Sequence, residues 1–85
     1  MKIQDIKIGN LYQLKQHTEL WVENINSGIN IFERILTAEE SFLILEYSLD
    51  RKFLSFYDSF FRVLTSKAEI GWISFDLLHL RNVKQ

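Results

Sequence analysis

The chain of 85 residues contains no cysteine and no proline, and it has only three glycines. The missing cysteines exclude disulfides, cysteine-ligated zinc, iron–sulfur clusters and thiol catalysis, and they are compatible with a reducing cytosol. Without proline, turns must be built from Gly, Asn, Asp and Ser. The longest unbroken apolar run, residues 42–45, is far too short to span a membrane. We therefore expect a cytoplasmic protein without membrane segments.

The sequence also lacks an excess of charge of either sign. Ten Lys and Arg residues stand against eleven Asp and Glu residues, for a formal net charge of -1. Such a balance provides no long-range attraction to phosphate or to an anionic membrane surface. Binding to nucleic acid is therefore disfavoured, although a small nucleic-acid-associated β-barrel remains the alternative to the function proposed below.

Apolar residues, by contrast, are abundant. Hydrophobic residues make up 47% of the chain and aromatic residues 14%. An aromatic side chain buries roughly 150–250 Å², so these residues can fill a small core without a metal or a crosslink. The length is sufficient for one domain and too short for two. We therefore expect a single domain over residues 1–85, with a core suited to a small β-barrel or a two-layer domain.

The clearest local pattern is a hairpin over residues 60–74. Two strands with alternating apolar residues are joined by a short polar connection at residues 66–69. The alternation places Phe61 and Val63 on the inward face of the first strand, and Ile73 on the inward face of the second. Trp72 has the opposite parity and is therefore expected to be partly exposed.

Other segments favour short strands separated by turns. An alternating pattern over residues 2–8 predicts a strand in which Ile6 and Ile8 share a face. The tract at residues 20–22 is β-prone and is able to pair with residues 12–14. The remaining predicted elements are a strand at residues 11–15, a turn at 24–30, a strand at 42–47, a helical turn at 75–78, a short strand at 79–80 and a frayed end at 81–85.

Two patterns in the middle of the chain favour helix instead. Thr37 and Glu40 have the spacing of a helix capping box. From Arg51 to Arg62 the polar residues recur at steps of one, three and four, which leaves an apolar side typical of an amphipathic helix. An α+β fold with a helix near residues 51–62 is therefore the alternative to the mainly β fold that we prefer.

The order of the predicted strands resembles that of Src-homology-3-like β-barrels, and in particular of short uncharacterised bacterial or phage proteins of that fold. The resemblance implies one small barrel of about five to six strands with a short helical turn. The peptide-binding members carry an Ala-Leu-Tyr-Asp-Tyr-like segment and a proline in the final turn. Both are missing here, so a site for proline-rich ligands is not implied. The segments that carry the resemblance are residues 8–14, 42–46, 61–65, 70–73 and 77–80.

No residue pattern indicates catalysis. The only two histidines, His17 and His79, lie far apart in the sequence, and neither has a second ligand type at helical spacing. The serines lack the glycines of a nucleophile elbow, and the glycines form no phosphate-binding loop. We therefore predict no catalytic residue, no metal site, no cofactor and no small-molecule substrate, and we expect a protein that is not an enzyme.

Several aromatic residues are the best candidates for binding. Tyr and Trp carry a polar atom beside a large apolar surface, so a cluster of them on one face provides a platform for a peptide or for stacked bases. Packing in the core is the ordinary alternative for each. We expect a non-enzymatic interaction or structural module that holds a protein partner, or its own copy as a homodimer, through a sheet edge or aromatic patch. The candidate residues are Tyr12, Trp21, Tyr57 and Trp72.

Overall fold

A computed structural model of the chain describes residues 5–48, 60–74 and 77–83. Within these ranges the fold is mainly β, as predicted, with seven strands, a short 3₁₀ helix at Leu77–His79 and no α-helix. The number of strands exceeds the five to six that were expected. The strands are β1 (Leu11–Leu14), β2 (Thr18–Glu23), β3 (Asn30–Leu36), β4 (Ser41–Ser48), β5 (Phe60–Thr65), β6 (Ile70–Ser74) and β7 (Leu80–Asn82).

All seven strands belong to one sheet with the order β3-β2-β6-β5-β4-β1-β7. Every pairing in this sheet is antiparallel. The two edges are β3 and β7, and no pairing between them is present among the described residues. The sheet is therefore open over the part of the chain that the structure describes, and the closed barrel implied by the resemblance is not shown.

The short connection between β3 and β4 requires the sheet to curl. These strands are four positions apart in the sheet order, which is roughly 19 Å in a flat sheet with strands about 4.8 Å apart. The connecting residues 37–40 form a turn closed by a 3.1 Å hydrogen bond from the Glu40 N–H to the Thr37 carbonyl. Such a turn cannot extend across a flat sheet, so the sheet bends and its inner face encloses the core.

The core consists of side chains from the inner face of this curved sheet. The strands supply them at alternate positions, such as Phe42 and Ile44 in β4 and Phe61 and Val63 in β5, because successive side chains of a strand point to opposite faces. The buried residues in contact are Ile6, Tyr12, Leu14, Leu20, Leu36, Phe42, Ile44, Phe61, Val63, Ile73 and Leu80.

The β5–β6 hairpin confirms the strongest sequence prediction. Phe61, Val63 and Ile73 are fully buried, and Trp72 is partly exposed on the opposite face. Ile73 faces Phe61 and Val63 faces Gly71, so Val63 and Ile73 lie diagonally across the hairpin on its buried face. The four-residue turn places its one left-handed residue at Ala68, and this register follows from that turn.

Gly71 permits the close approach of β2 to β6. A Cβ atom at this position would lie 2.7 Å from the Trp21 carbonyl oxygen and 2.8 Å from Leu20 Cδ1. A side chain would therefore force the two strands apart. Since β2 and β6 are distant in sequence, this glycine lets the β2–β3 hairpin join the rest of the sheet.

The capping-box residues form one of the two hydrogen bonds of a capping box, from the Thr37 N–H to the Glu40 side chain, but they do not begin a helix. Glu40 Oε2 accepts hydrogen bonds from the Thr37 N–H at 2.8 Å and from Thr37 Oγ1 at 3.0 Å. The chain then continues directly into β4. A Thr and a Glu three residues apart can stabilise any tight turn in this way, so the spacing alone did not distinguish a helix from a β-connection.

Three predicted elements differ from the structure. Residues 5–8 form a 3₁₀ residue, an irregular stretch and a turn instead of a strand, so Ile6 is buried while Ile8 is exposed. Residues 20–22 pair with β3 and β6 instead of with β1. The end expected to fray begins as β7, because Arg81 and Asn82 pair with β1.

The alternative helix near residues 51–62 is tested only at its end. Phe60, Phe61 and Arg62 belong to β5, so the helix does not reach them. Residues 51–59 lie outside the described residues. None of the helical segments within the described ranges is long and apolar enough to span a membrane.

Candidate functional site

The four aromatic candidates occupy different places. Tyr12 is only 1% exposed and lies in the core, where its hydroxyl oxygen accepts a 2.9 Å hydrogen bond from the Lys7 N–H. It therefore belongs to no surface. Trp21 and Trp72 lie opposite each other on neighbouring strands, and both are partly exposed. Tyr57 lies outside the described residues.

Trp21 and Trp72 belong to a row of aromatic residues on the outer face of the sheet. Phe32 is paired with Trp21 across β3 and β2, and Trp21 is paired with Trp72 across β2 and β6. The Trp21 and Phe32 rings meet edge to face, with centroids 5.8 Å apart and planes at 67°. We call Phe32, Trp21 and Trp72 the aromatic row.

An ion pair on β5 and β4 lies next to Trp72, at the end of the aromatic row that is farther from β3. Arg62 in β5 is paired with Trp72, and Glu46 in β4 is paired with Arg62. Arg62 Nη1 lies 3.5 Å from Glu46 Oε1, and both side chains are about half exposed. An exposed pair of this kind contributes little to stability, so its main effect is to place opposite charges beside Trp72.

Carboxylates surround the other end of the row. Glu19 and Glu23 alternate with Trp21 along β2 and therefore share its face, and Glu33 directly follows Phe32 in β3. All three glutamates are exposed. Trp21 Nε1 donates a 3.2 Å hydrogen bond to Glu19 Oε2. We call Glu19, Glu23 and Glu33 the acidic rim.

The one cation of the β2–β3 hairpin does not balance this rim. Arg34 is the only Lys or Arg between residues 18 and 36, and it is paired with the inward-facing Leu20. Its Nη2 lies 2.7 Å from Glu40 Oε1 and 2.7 Å from Glu69 Oε1. The guanidinium is thus held on the inner face by two carboxylates of its own.

These contacts shift the ionisation of all three groups. The hydrogen bonds from Arg34 lower the pKa of Glu40 to about 2, against the smaller opposing effect of burial. The same guanidinium lowers the pKa of Glu69, and the Thr65 hydroxyl adds to this effect. In return, hydrogen bonds to Glu40 and Glu69 raise the pKa of Arg34. The cluster stays charged, and its close contacts indicate a structural role.

Strand β3 presents an unusually apolar edge. It has seven residues, whereas the other edge strand, β7, has three. Ile31, Phe32 and Ile35 are 46%, 50% and 45% exposed, and Ile29 just before the strand is 63% exposed. A long apolar edge is a feature that soluble proteins ordinarily avoid, because it invites pairing with another strand.

Sequence reasoning did not identify β3 or Phe32. The register of β3 against β2 shifts between Leu20 and Trp21, which leaves Glu33 as the extra residue of a β-bulge. The bulge interrupts alternation, since Phe32 and Ile35 both point outward although they are three residues apart. A period of two therefore could not detect the strand. A tract with four apolar residues in seven was the remaining signal.

The histidines show no metal-binding arrangement. His17 Nδ1 accepts a 3.0 Å hydrogen bond from the Ala38 N–H, which ties the β1–β2 connection to the β3–β4 turn. Across the described ranges no three His, Asp or Glu residues are grouped so that they could hold an ion. The features of the described residues that could bind a ligand are therefore the β3 edge, the aromatic row and the acidic rim.

Comparison of the chain with protein-family models, with curated proteins and with solved structures found no match.

Proposed function

We propose that this chain is a non-enzymatic protein-interaction module, and that β3 binds an extended segment of a partner protein as an added strand. The observation that carries the proposal is the apolar edge of β3. Each inner strand of the sheet is paired on both sides, whereas β3 is paired only with β2 among the residues that the structure describes. Half of the backbone N–H and C=O groups of an edge strand point away from the sheet, and an added strand satisfies them.

The side chains of β3 support this mode of binding. Ile31 points to the inner face, whereas Phe32 and Ile35 point to the outer face, so an added strand would find apolar contacts on both sides. Burying about half of a large apolar side chain is worth roughly 1 kcal/mol at 25 cal/mol per Å². Backbone hydrogen bonds supply affinity in such complexes, and side-chain contacts at alternate positions supply specificity.

The bulge at Glu33 limits uncontrolled pairing. A bulge twists an edge strand, and a charged residue there disfavours addition of an unsuitable strand. Glu33 is exposed and lies in the middle of β3. These features favour a selective partner over open-ended aggregation. If the partner is a second copy of this chain, the same binding mode produces a homodimer.

The alternative, a nucleic-acid-associated barrel, is less well supported. Aromatic rings on a sheet face can stack with bases, but such surfaces also need cations that follow the phosphate backbone. The acidic rim stands beside the row instead, and Arg34 is held on the inner face. We expect at most weak and nonspecific binding to oligonucleotides, because tight, strongly salt-dependent binding requires several neutralised phosphates.

The cellular location and the relation to Src-homology-3-like barrels are two further parts of the proposal. A cytoplasmic location remains a prediction from the missing cysteines. The relation to Src-homology-3-like barrels also remains a prediction. A solution structure in which the sheet curls into a partly open barrel, with the β3 edge still unpaired, would support it.

Site-specific photo-crosslinking in the host cell tests the proposed binding mode. We would replace Phe32 by p-benzoylphenylalanine, which reacts only with groups in contact, and purify the chain after irradiation. The matched control carries the same substitution at Ile8, which is similarly exposed but lies outside the sheet. We expect a discrete crosslinked species for position 32 and none for position 8.

The mass of the adduct identifies the kind of partner. An adduct larger than the chain by the mass of another protein supports a heteromeric module, and an adduct of twice the chain mass identifies a second copy. Equal labelling at both positions, or no adduct at position 32, would contradict binding at the β3 edge.

A further inference from the structure

The outer face beside β3 combines two properties that together select a ligand. The aromatic row provides ring faces, and the acidic rim surrounds the end of that row nearest to the β3 edge. Within residues 18–36 the outer face carries Glu19 and Glu23, and the exposed Glu33 lies at the bulge beside Phe32. The only cation of this segment, Arg34, belongs to the inner face. The surface at this edge is therefore both aromatic and negative.

We infer that the partner segment bound along β3 is basic, with Lys or Arg side chains that lie over Phe32 and Trp21 between the carboxylates of the acidic rim. This inference rests on the proposed function, because it needs a strand added at β3. It goes further in specifying the chemistry of that strand.

The geometry of strand addition brings such side chains to the row. An added strand lies about 4.8 Å from β3, and its alternate side chains point to the outer face beside Phe32. A cation is attracted to an aromatic ring when it lies within about 6 Å of the ring centroid. The Trp21 indole is already oriented by its hydrogen bond to Glu19, so its position is defined before a ligand arrives.

Electrostatics also favours a basic partner over a second copy. Pairing β3 with β3 of another copy would bring two acidic rims to neighbouring positions on one face, and like charges in that arrangement repel. The outer-face cation Arg62 is paired with Glu46 at the far end of the row. A Lys or Arg from the partner would instead meet carboxylates that have no cationic partner on the β2–β3 hairpin.

Nuclear magnetic resonance of the two indole N–H groups tests the inference. The probe is the peptide acetyl-Thr-Lys-Val-Arg-Val-Lys-Thr-amide, whose three cations share one face when it is extended. The comparison peptide has Glu in place of each cation. We expect the basic peptide to shift the Trp21 indole signal at millimolar concentrations and the acidic peptide to leave it unchanged. Added salt should weaken the binding, because exposed charges are screened.

Variants of the acidic rim test whether its negative charges contribute to binding of the basic peptide. The double variant Glu23→Gln with Glu33→Gln removes two carboxylates and leaves the Trp21–Glu19 hydrogen bond in place. Exposed ion pairs are individually weak, so we expect the basic peptide to bind roughly fivefold more weakly to this variant. Glu46→Gln is the matched control, since it removes an outer-face carboxylate three strand positions from Trp21, and it should bind as the unaltered protein does.

Each outcome decides the inference. Equal binding of the two peptides, unchanged affinity in the double variant, or no shift with the basic peptide would overturn it. A crosslink at position 32 together with any of these results would leave the interaction module standing and remove only its basic partner. A missing crosslink would remove the proposed function itself.

Discussion

At the residue scale, Arg34, Glu40 and Glu69 form the best-defined polar contact in the molecule. Arg34 belongs to the edge strand, Glu40 to the turn before β4, and Glu69 to the β5–β6 turn. Their side chains are between 16% and 24% exposed, so the charges are partly shielded from water. The cluster joins β3 to turns at the ends of β4, β5 and β6, none of which is next to β3 in the sheet, and it helps the sheet to keep its curl.

The depressed pKa of Glu40 makes stability depend on pH. The folded-state pKa of about 2 lies below the ordinary value of 4.5. The stabilisation that ionised Glu40 gives to the folded state is therefore fully present above about pH 5 and is lost as the pH falls toward 2. The lowered pKa of Glu69 makes stability depend on pH in the same direction. We expect the free energy of unfolding to fall by roughly 1–3 kcal/mol between pH 6 and pH 2.5 on account of Glu40.

Urea unfolding at a series of pH values measures this effect. Glu40→Gln should be less stable than the unaltered protein at pH 6 and nearly equal to it at pH 2.5. Glu39→Gln is the control, because Glu39 is exposed and its side chain takes no part in the cluster. If the two variants had the same pH dependence, the cluster would not stabilise the fold.

A second residue-scale feature is strain at Ala68. Its φ is 62°, the only positive value for a residue other than glycine within the described ranges. An L-residue in this conformation costs roughly 1–2 kcal/mol, because Cβ approaches the carbonyl oxygen. The sequence offered no glycine for this turn, and the hydrogen bonds that Thr65 makes with Ala68 and Glu69 hold it in place instead.

Replacing Ala68 by glycine should therefore stabilise the protein. Glycine relieves the strain but loses more chain entropy on folding, so we expect a net gain of roughly 0.5–1 kcal/mol in thermal or urea unfolding. Lys67→Gly is the control in the same turn, and it should destabilise because Lys67 has no positive φ to relieve. A loss of stability in Ala68→Gly would contradict the turn conformation.

At the scale of elements, the hairpin of β5 and β6 shows what alternation can predict. A period of two predicts the buried residues Phe61, Val63 and Ile73. It does not predict the burial of Phe60 and Ser74, which have the outward parity and pair with each other. Strand β3 was not predicted because its bulge breaks the period at Glu33. The capping-box prediction failed for a different reason, since the hydrogen bond from the Thr37 N–H to the Glu40 side chain also forms in a β-connection.

The hairpin faces can be tested with two isoleucines of β6. Ile73 is fully buried, whereas Ile70 is 47% exposed on the other face. Ile73→Ala should cost roughly 2–5 kcal/mol, because it leaves a cavity in the core. Ile70→Ala should cost less than about 1 kcal/mol in the same urea titration. Similar losses in the two variants would mean that the faces of β6 are not as described.

At the scale of the whole molecule, long-range pairing decides the architecture. The contacts of β2 with β6 and of β1 with β4 and β7 join segments far apart in the sequence. No local pattern encodes such pairs, so sequence reasoning placed β2 against β1 and did not find the order of the strands. It did predict a mainly β fold and a partly exposed Trp72. The site depends on the sheet order, since Phe32 and Trp72 become neighbours of Trp21 only there.

The central claim is that β3 is an open edge, and amide hydrogen exchange of the free protein measures this most directly. Exchange should be followed by nuclear magnetic resonance in dilute solution, with light scattering to verify a monomer. Outside the bulge at Glu33, we predict that fast and slow amides alternate along β3, because every second N–H points away from β2. The amides of β5, which is paired on both sides, should all be slow. Uniformly slow exchange along β3, equal to that of β5, would contradict the account, because the edge would then be covered within the monomer.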